Sequence, residues 1–189
     1  AGISANAELV REALSDPADQ ACVDVILGEV DRLGRLVTDL LFYSREREAT
    51  CRTCDLAALA RSVVDFSRLQ ADHAGVHLDV AGSGTASADA ELSRQALLNI
   101  VRNAIEACRE GGRVRLEISP ACIRIHDQGR GVPEALRDRL FEPFVTGRTR
   151  GLGLGAAVAK RCMERQEGDL ILEQSSAEGS VFALCWAKD

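Results

Sequence analysis

Asn99 and Asn103 stand four residues apart in Leu97-Leu-Asn-Ile-Val-Arg-Asn-Ala-Ile-Glu-Ala107. On a helix that spacing projects both carboxamides from one face. An amide oxygen is a neutral hard ligand, suited to a Mg²⁺ that keeps waters and substrate phosphate oxygens. Further along, Asp127 is followed by Gly129 and Gly131. A carboxylate at a strand end, on a floor of glycines, can accept from an exocyclic amine while the backbone lies flat against a ring. Gly151, Gly153 and Gly155 then lead into a helical pattern, where free N–H groups and the helix dipole favour a phosphate. Each feature has a plainer explanation: two solvated asparagines, a simple turn, a flexible loop. Leu152 and Leu154 count against the loop, because linkers are usually Ser- and Gly-rich.

These groups need elements to hold them. The Asn pair falls on a helix expected over Asp89–Cys108, with Leu92, Ala96, Leu97, Ile100, Val101 and Ile105 on its apolar face and Gly111-Gly112 as its stop. Arg113–Ser119 and Cys122–His126 alternate apolar with polar residues and read as two strands, so Asp127 lies at a strand end. A helix over Leu154–Arg165 follows the glycine triplet, and Asp169–Gln174 and Ser180–Trp186 are closing strands. Before the Asn helix, Asp55 is expected to cap a helix reaching Ala74, and His77–Val80 to form a short strand. Helices mixed with mostly antiparallel strands predict an α+β fold, a two-layer α/β sandwich.

The first 49 residues read differently. Ile3, Ala7, Val10 and Leu14 recur at helical spacing, Ser15-Asp16-Pro17 interrupts, and a second helix runs from Ala18 to about Arg47. Its apolar positions Cys22, Ile26, Val30, Leu33, Val37, Leu40 and Leu41 approach a heptad seam. Two helices bury little by themselves, which points to a helical hairpin that dimerises into a bundle. The expected domains are therefore 1–49 and 50–189.

Composition narrows the function. A net charge of −6 argues against a general nucleic-acid face, and one Trp and one Tyr leave no base-stacking platform. No apolar run approaches the roughly 20 residues of a membrane span, and no signal peptide is present. Seven scattered cysteines, an odd number, read as reduced and mostly buried thiols of a cytoplasmic protein. Cys51-Arg-Thr-Cys54 with His73 and His77 has a zinc-finger look, but the spacer of 18 residues reads as a helix and disfavours zinc.

The order of motifs, Asn pair, Asp-x-Gly-x-Gly, Phe-Glu-Pro-Phe and Gly triplet, resembles the N, G1, F and G2 boxes of the GHKL superfamily, which binds ATP on an α/β sandwich. It is most similar to the sensor histidine kinases, in particular their nitrogen-regulatory subfamily. Leu97–Ala107 resembles the N box, Leu140-Phe-Glu-Pro-Phe-Val-Thr146 the F box and Gly151-Leu-Gly-Leu-Gly155 the G2 box. The helix ending Asp39-Leu-Leu-Phe-Tyr-Ser-Arg45 resembles the second helix of the family's dimerisation and phosphoacceptor bundle.

The resemblance implies roles for particular residues. Asn103 would hold Mg²⁺, with Asn99 supporting it near the phosphates and Arg148, where the subfamily usually has a lid lysine, reaching the γ-phosphate; these three form the implied catalytic set. Asp127 would bind the adenine amino group, with Gly129 and Gly131 as floor. Asn103, Phe144, Gly151, Leu152, Gly153, Leu154 and Gly155 complete the implied nucleotide-binding set, and Phe141 and Phe144 would anchor a lid over residues 132–150, mobile without ATP.

Two departures matter. ATPases of the superfamily such as gyrase carry a water-activating Glu four residues before the metal Asn; here Asn99 stands there and cannot act as a base. That favours transfer over hydrolysis. The phosphoacceptor His is expected just before residues 1–10, and His73, His77 and His126 do not match it, so the chain is expected to be a fragment unable to autophosphorylate. The implied function is the catalytic region of a two-component kinase, binding ATP and Mg²⁺, partnered by a response regulator receiver domain and by a second copy of itself. It would sit in the cytoplasm, on a parent chain open to a membrane anchor, with no membrane contact of its own. The alternatives are a docking module of the same fold that recruits a response regulator without kinase activity, and an anti-sigma type serine kinase, disfavoured because those lack such a hairpin.

Overall fold

Asp16 and Pro17 decide where the first turn of the chain falls. Asp16 Oδ1 accepts from Ala18 N at 2.8 Å, and proline at the first helical position is pre-set for the helix it opens. Helix α1 (Gly2–Ala13) therefore ends before this pair and α2 (Pro17–Ser44) begins on it, one residue earlier than the sequence pattern predicts. The computed structural model describes residues 2–44, 48–147 and 153–187, so the expected end of α2 near Arg47 lies outside the described residues. The chain divides into two units, Ala1–Arg45 and Glu46–Asp189.

In the first unit Arg11 Nε meets Asp24 Oδ1 at 2.6 Å and ties α1 to α2. Among its described residues Val23 is the one buried apolar side chain, whereas Ile3, Val10, Ile26, Leu33 and Val37 are exposed. The hairpin leaves most of its apolar stripe uncovered.

The second unit runs β1 (Arg52–Asp55), α3 (Leu56–His73), β2 (His77–Gly82), β3 (Thr85–Ala88), α4 (Ala90–Ala107), β4 (Arg113–Ser119), β5 (Cys122–Asp127), α5 (Glu134–Arg137), α6 (Gly155–Glu164), β6 (Asp169–Ser176) and β7 (Gly179–Cys185). Five strands form one sheet in the order β2-β4-β5-β7-β6, with β2 parallel to β4 and every other pairing antiparallel. On β4, Val114, Leu116 and Ile118 are buried while Arg113, Arg115 and Glu117 are exposed. One face of the sheet thus meets the helices and the other meets solvent, the two-layer arrangement that the alternation predicts. Asp55 caps α3, accepting from Ala57 N and Ala58 N at 2.9 and 3.1 Å. Asp89 does the same for α4, accepting from Glu91 N and Leu92 N at 3.0 and 3.1 Å.

Helix α4 is the centre of this unit. Its Leu92, Ala96, Leu97, Ile100, Val101 and Ile105 are all buried, as their periodicity predicts. Ile100→Ala is expected to destabilise the unit by about 2–5 kcal/mol through the cavity it leaves. The single Trp186 is buried and donates to Ser93 Oγ and Gln166 Oε1 at 3.2 and 3.1 Å. Its fluorescence in a denaturant titration therefore reports this unit alone.

Four features depart from the sequence reading. β1 and β3 pair as a separate two-stranded antiparallel sheet; both are four residues long and poor in branched side chains, so no periodic signal announces them. The Pro133-led turn α5 falls in the segment read as lid. Helix α4 stops at Ala107, not at the glycines, because Cys108 turns to φ −66°, ψ 154° and bridges to Gly129. Finally, the reading of reduced, mostly buried thiols is corrected. Cys122 and Cys185 are joined as a disulfide across β5 and β7, and Cys22 and Cys51 are exposed. The two bonded residues lie 63 apart in sequence and meet only through strand register, which a cysteine count cannot supply.

Candidate functional site

Strand alternation places Asp127. On β5, Ile123, Ile125 and Asp127 share the buried, helix-facing side, while Arg124 and His126 point the other way. Arg124 pairs with Glu173 at 2.9 Å, and His126 Nε2 lies 3.3 Å from Glu117 Oε2. His126 therefore stands on the face opposite Asp127. A buried carboxylate must be satisfied, and Asp127 Oδ1 accepts from Gly129 N at 2.8 Å and from Ser180 N at 3.3 Å. Both of these donors are backbone N–H groups, so β7 and the glycine loop set where the carboxylate stands.

The glycines after Asp127 permit close approach. A Cβ on Gly129 would stand 2.7 Å from Ala107 Cβ, so the loop lies against the end of α4. Gly131 has φ +69°, and a Cβ there would come within 2.0 Å of the Ser176 carbonyl oxygen. Only glycine tolerates both conditions. Val132 N then donates to Ser175 Oγ at 2.7 Å, and Arg137 Nη2 to Ser175 O at 3.3 Å, fastening the loop to β6. Nearby, burial pushes the Cys108 thiol up; the Gln128 backbone opposes this and the Asp127 charge adds to it. Cys108 is therefore a neutral neighbour at pH 7 rather than a nucleophile.

At the other end of the site, α4 meets α6. Asn99 is buried, and its Oδ1 accepts from Arg102 Nη2 at 2.8 Å. Its Nδ2 is buried without a partner among the described residues. Asn103 is half-buried. A Cβ placed on Gly155, the first residue of α6, would lie 3.3 Å from Arg102 Nη2 and 3.6 and 3.7 Å from the two Asn103 amide atoms. The start of α6 is thus set directly against the Asn pair. Buried Leu154 occupies the N-cap position and offers no side-chain cap, so the leading N–H groups of α6 remain as donors.

Phe144 is exposed at φ +66°, with its N–H donating to Gly153 O at 3.1 Å. Phe141 lies under Lys160, 5.3 Å from Nζ to the ring centre. Arg148, Gly151 and Leu152 lie outside the described residues. Cys51, Cys54, His73 and His77 do not converge: among the described residues no three His, Cys, Asp or Glu side chains group to hold a metal.

Two positions that bear on the site were missed in sequence. Arg102 stands three residues after Asn99, a helical i,i+3 spacing that is readable. Gly179, against the Asp127 carbonyl, looks in sequence like any hairpin glycine. The donor set, an orphaned buried amide at Asn99, a neutral oxygen at Asn103, a guanidinium and an uncapped helix start, fits a polyanion accompanied by a hard divalent cation.

Residues 88–189 match the family model described as histidine kinase-, DNA gyrase B-, and HSP90-like ATPase. The signal transduction histidine-protein kinase AtoS of Escherichia coli (strain K12) is 31% identical over 186 residues, covering 94% of this chain and 30% of AtoS. The chain thus spans under a third of that relative. Full-length ShkA, solved in complex with AMPPNP, superposes with a TM-score of 0.73 at 27% identity, over 100% of this chain and 43% of ShkA. Histidine kinase ThkA, solved in complex with response regulator protein TrrA, gives 0.70 at 25% identity, over 96% of this chain and 55% of ThkA.

Proposed function

Because this chain belongs to the family of histidine kinase-, DNA gyrase B- and HSP90-like ATPases, we propose that it is the ATP-binding catalytic region of a two-component sensor histidine kinase. It transfers the γ-phosphoryl of Mg-ATP to a histidine, for relay to a response regulator. One observation carries the reading: Asn103 of α4 and Gly155 of α6, far apart in sequence, adjoin at an uncapped helix start, where a Cβ on Gly155 would lie 3.6 and 3.7 Å from the Asn103 amide atoms.

The roles we propose are those that the motif resemblance implies. Asp127 accepts the adenine amino group, with the Gly129–Gly131 loop as floor. Asn103 holds Mg²⁺, and Asn99 supports the arrangement from within the core. Gly151–Gly155 and Leu154 form the phosphate loop, with Arg148 directed to the γ-phosphate and Phe141 and Phe144 seating the lid. Bound Mg-ATP supplies the transferable phosphoryl, its charge neutralised by the metal. The protein contributes position and a fixed set of donors. With Asn99 in place of a carboxylate, no base at that position activates water, so transfer prevails over hydrolysis.

The remaining assignments rest on the same footing. The exposed stripe of α1 and α2, residues 1–49, supports homodimerisation through the hairpin and a docking surface for a receiver domain, with 50–189 as the catalytic domain. The wording of the Leu97–Ala107 motif supports the nitrogen-regulatory subfamily. A cytoplasmic location belongs to the same proposal, and the net charge of −6 argues against a nucleic-acid partner; among the described residues no helix is long and apolar enough to cross a membrane.

The test supplies a separate histidine-bearing helical bundle together with labelled ATP. Label should appear on histidine with Mg²⁺ present and vanish when it is chelated. ATP binding without any transfer would instead favour a docking module.

A further inference from the structure

Two cysteines that enter none of the motifs face each other at the end of the β5–β7 ladder. We propose that the Cys122–Cys185 disulfide is a site of thiol–disulfide exchange with low-molecular-weight thiols of the glutathione class, and that opening it loosens the second unit without unfolding it.

Strand register brings the pair together. Cys122 is the first residue of β5 and Cys185 the last of β7, and they stand directly opposite one another. Just beyond them Trp186 N donates to Ala121 O at 2.9 Å. That leaves the cysteines in the next, non-hydrogen-bonded position, where facing side chains come closest. Alternation along β5 turns Ile123, Ile125 and Asp127 toward the helices and puts Cys122 on the other face with Arg124 and His126. The bond therefore lies on the solvent side of the sheet, at its end, and not in the core beneath α4.

The two sulfurs are not equivalent. Cys122 is buried, whereas Cys185 is half-buried. An incoming thiolate thus reaches Cys185 Sγ and forms a new S–S bond there. The bond to Cys122 breaks, its electron pair leaves on Cys122 Sγ, and that thiolate takes a proton from water. A second thiol then attacks the outer sulfur of the mixed disulfide and releases Cys185. The net change turns one protein disulfide and two small thiols into two protein thiols and one small disulfide, a two-electron exchange that runs in either direction. Accessible disulfides are the ones that exchange this way. Three of the unit's own thiols do not compete: Cys162 is buried, and burial pushes the Cys54 and Cys108 thiols up, so neither is a thiolate at neutral pH.

The consequence follows from the bond's place. It joins residues 63 apart, a stretch that contains α6 and β6, and opening it returns that freedom to the unfolded chain. In the folded unit the same end is fastened a second way. Buried Trp186 donates to Ser93 Oγ of α4 and to Gln166 Oε1, which also accepts from Asp89 N at the cap of α4 at 3.0 Å. Register pairs from Ile123 with Leu184 to Asp127 with Ser180 keep β5 on β7. Reduction therefore lowers stability and leaves the fold standing.

The experiment holds the folded chain in glutathione buffers of graded reduced-to-oxidised ratio and quenches with acid and alkylation. Peptide mass spectrometry reads each cysteine, and Trp186 fluorescence reads the thermal midpoint. The linked fraction should follow the ratio from both directions, with glutathione captured on Cys185. The midpoint of the linked form should lie about 5–15 °C above that of the reduced form. Cys122→Ser should hold the midpoint at the reduced value at every ratio and accumulate the adduct on Cys185; should that variant not fold, the parent chain alone decides. The proposal is overturned by a bond that persists in the native chain at the most reducing ratio, or by thiols that stay free at the most oxidising one. Equal midpoints for the two forms, a reduced chain that no longer folds, or capture of glutathione on Cys122 instead would overturn it as well.

Discussion

Asn103→Ala is expected to reduce Mg-ATP-dependent phosphoryl transfer at least about a hundredfold, the scale seen when one preorganised electrostatic group is removed from a reacting centre. The readout is label on a histidine supplied in trans, followed across a Mg²⁺ titration. Asn103 is half-buried beside the start of α6 and offers a neutral hard oxygen. Alanine offers none. It is also the better helix former, and the side chain removed is not part of the apolar face formed by Ile100, Val101 and Ile105. The denaturation midpoint read from Trp186 should therefore not fall, which separates lost chemistry from lost structure. Adenosine, bound from the Asp127 end, should retain its affinity. Transfer that continued at the parent rate would sink the metal assignment.

The parts of this molecule that could be read in advance share one property: each is a local periodicity with a matching cap. Helix α4 is the clearest instance, with an apolar face at 3.6-residue spacing and Asp89 to start it. The two-layer arrangement followed from the alternation in Arg113–Ser119 and Cys122–His126; the strand runs one residue further, so that Asp127 shares a face with Ile123 and Ile125. Illegible were the contacts made by strand register and close approach. The pairing of Cys122 with Cys185 is one. The bridge from Cys108 to Gly129, which ends α4 before the glycines expected to stop it, is another. The candidate site was legible as three separate motifs. That Asn103 and Gly155 adjoin is a property of how α4 packs on α6, and no local pattern contains it. Arg102 lay in plain view at i+3 from Asn99, but without the tertiary contact to α6 it was one more arginine on a helix.

Gly179→Ala is expected to have the largest effect on stability together with binding, although residue 179 touches no proposed ligand. Gly179 opens β7 at φ +144°, a backbone conformation that side chains rarely adopt. A Cβ there would stand 1.9 Å from the Asp127 carbonyl oxygen and 3.2 Å from Gln128 Cα. Both neighbours are backbone, so no rotamer change relieves the overlap; the strands must part. Strain of about 1–3 kcal/mol for the backbone conformation adds to a similar cost for overpacking. The sum is a large share of the roughly 5–15 kcal/mol that holds a domain folded. The displacement has a direction. Ser180, the next residue, pairs with Asp127 across β5 and β7, and its N–H donates to Asp127 Oδ1 at 3.3 Å. Pushing β7 away removes that donor and tilts the carboxylate from its position above the Gly129–Gly131 loop. The variant should therefore show a lowered denaturation midpoint in Trp186 fluorescence and, in the fraction still folded, a weakened affinity for adenosine as well as for Mg-ATP. That joint loss differs from the outcome expected at Asn103, where adenosine binding is retained. A normal midpoint with parent-like adenosine binding would show that β7 does not position Asp127.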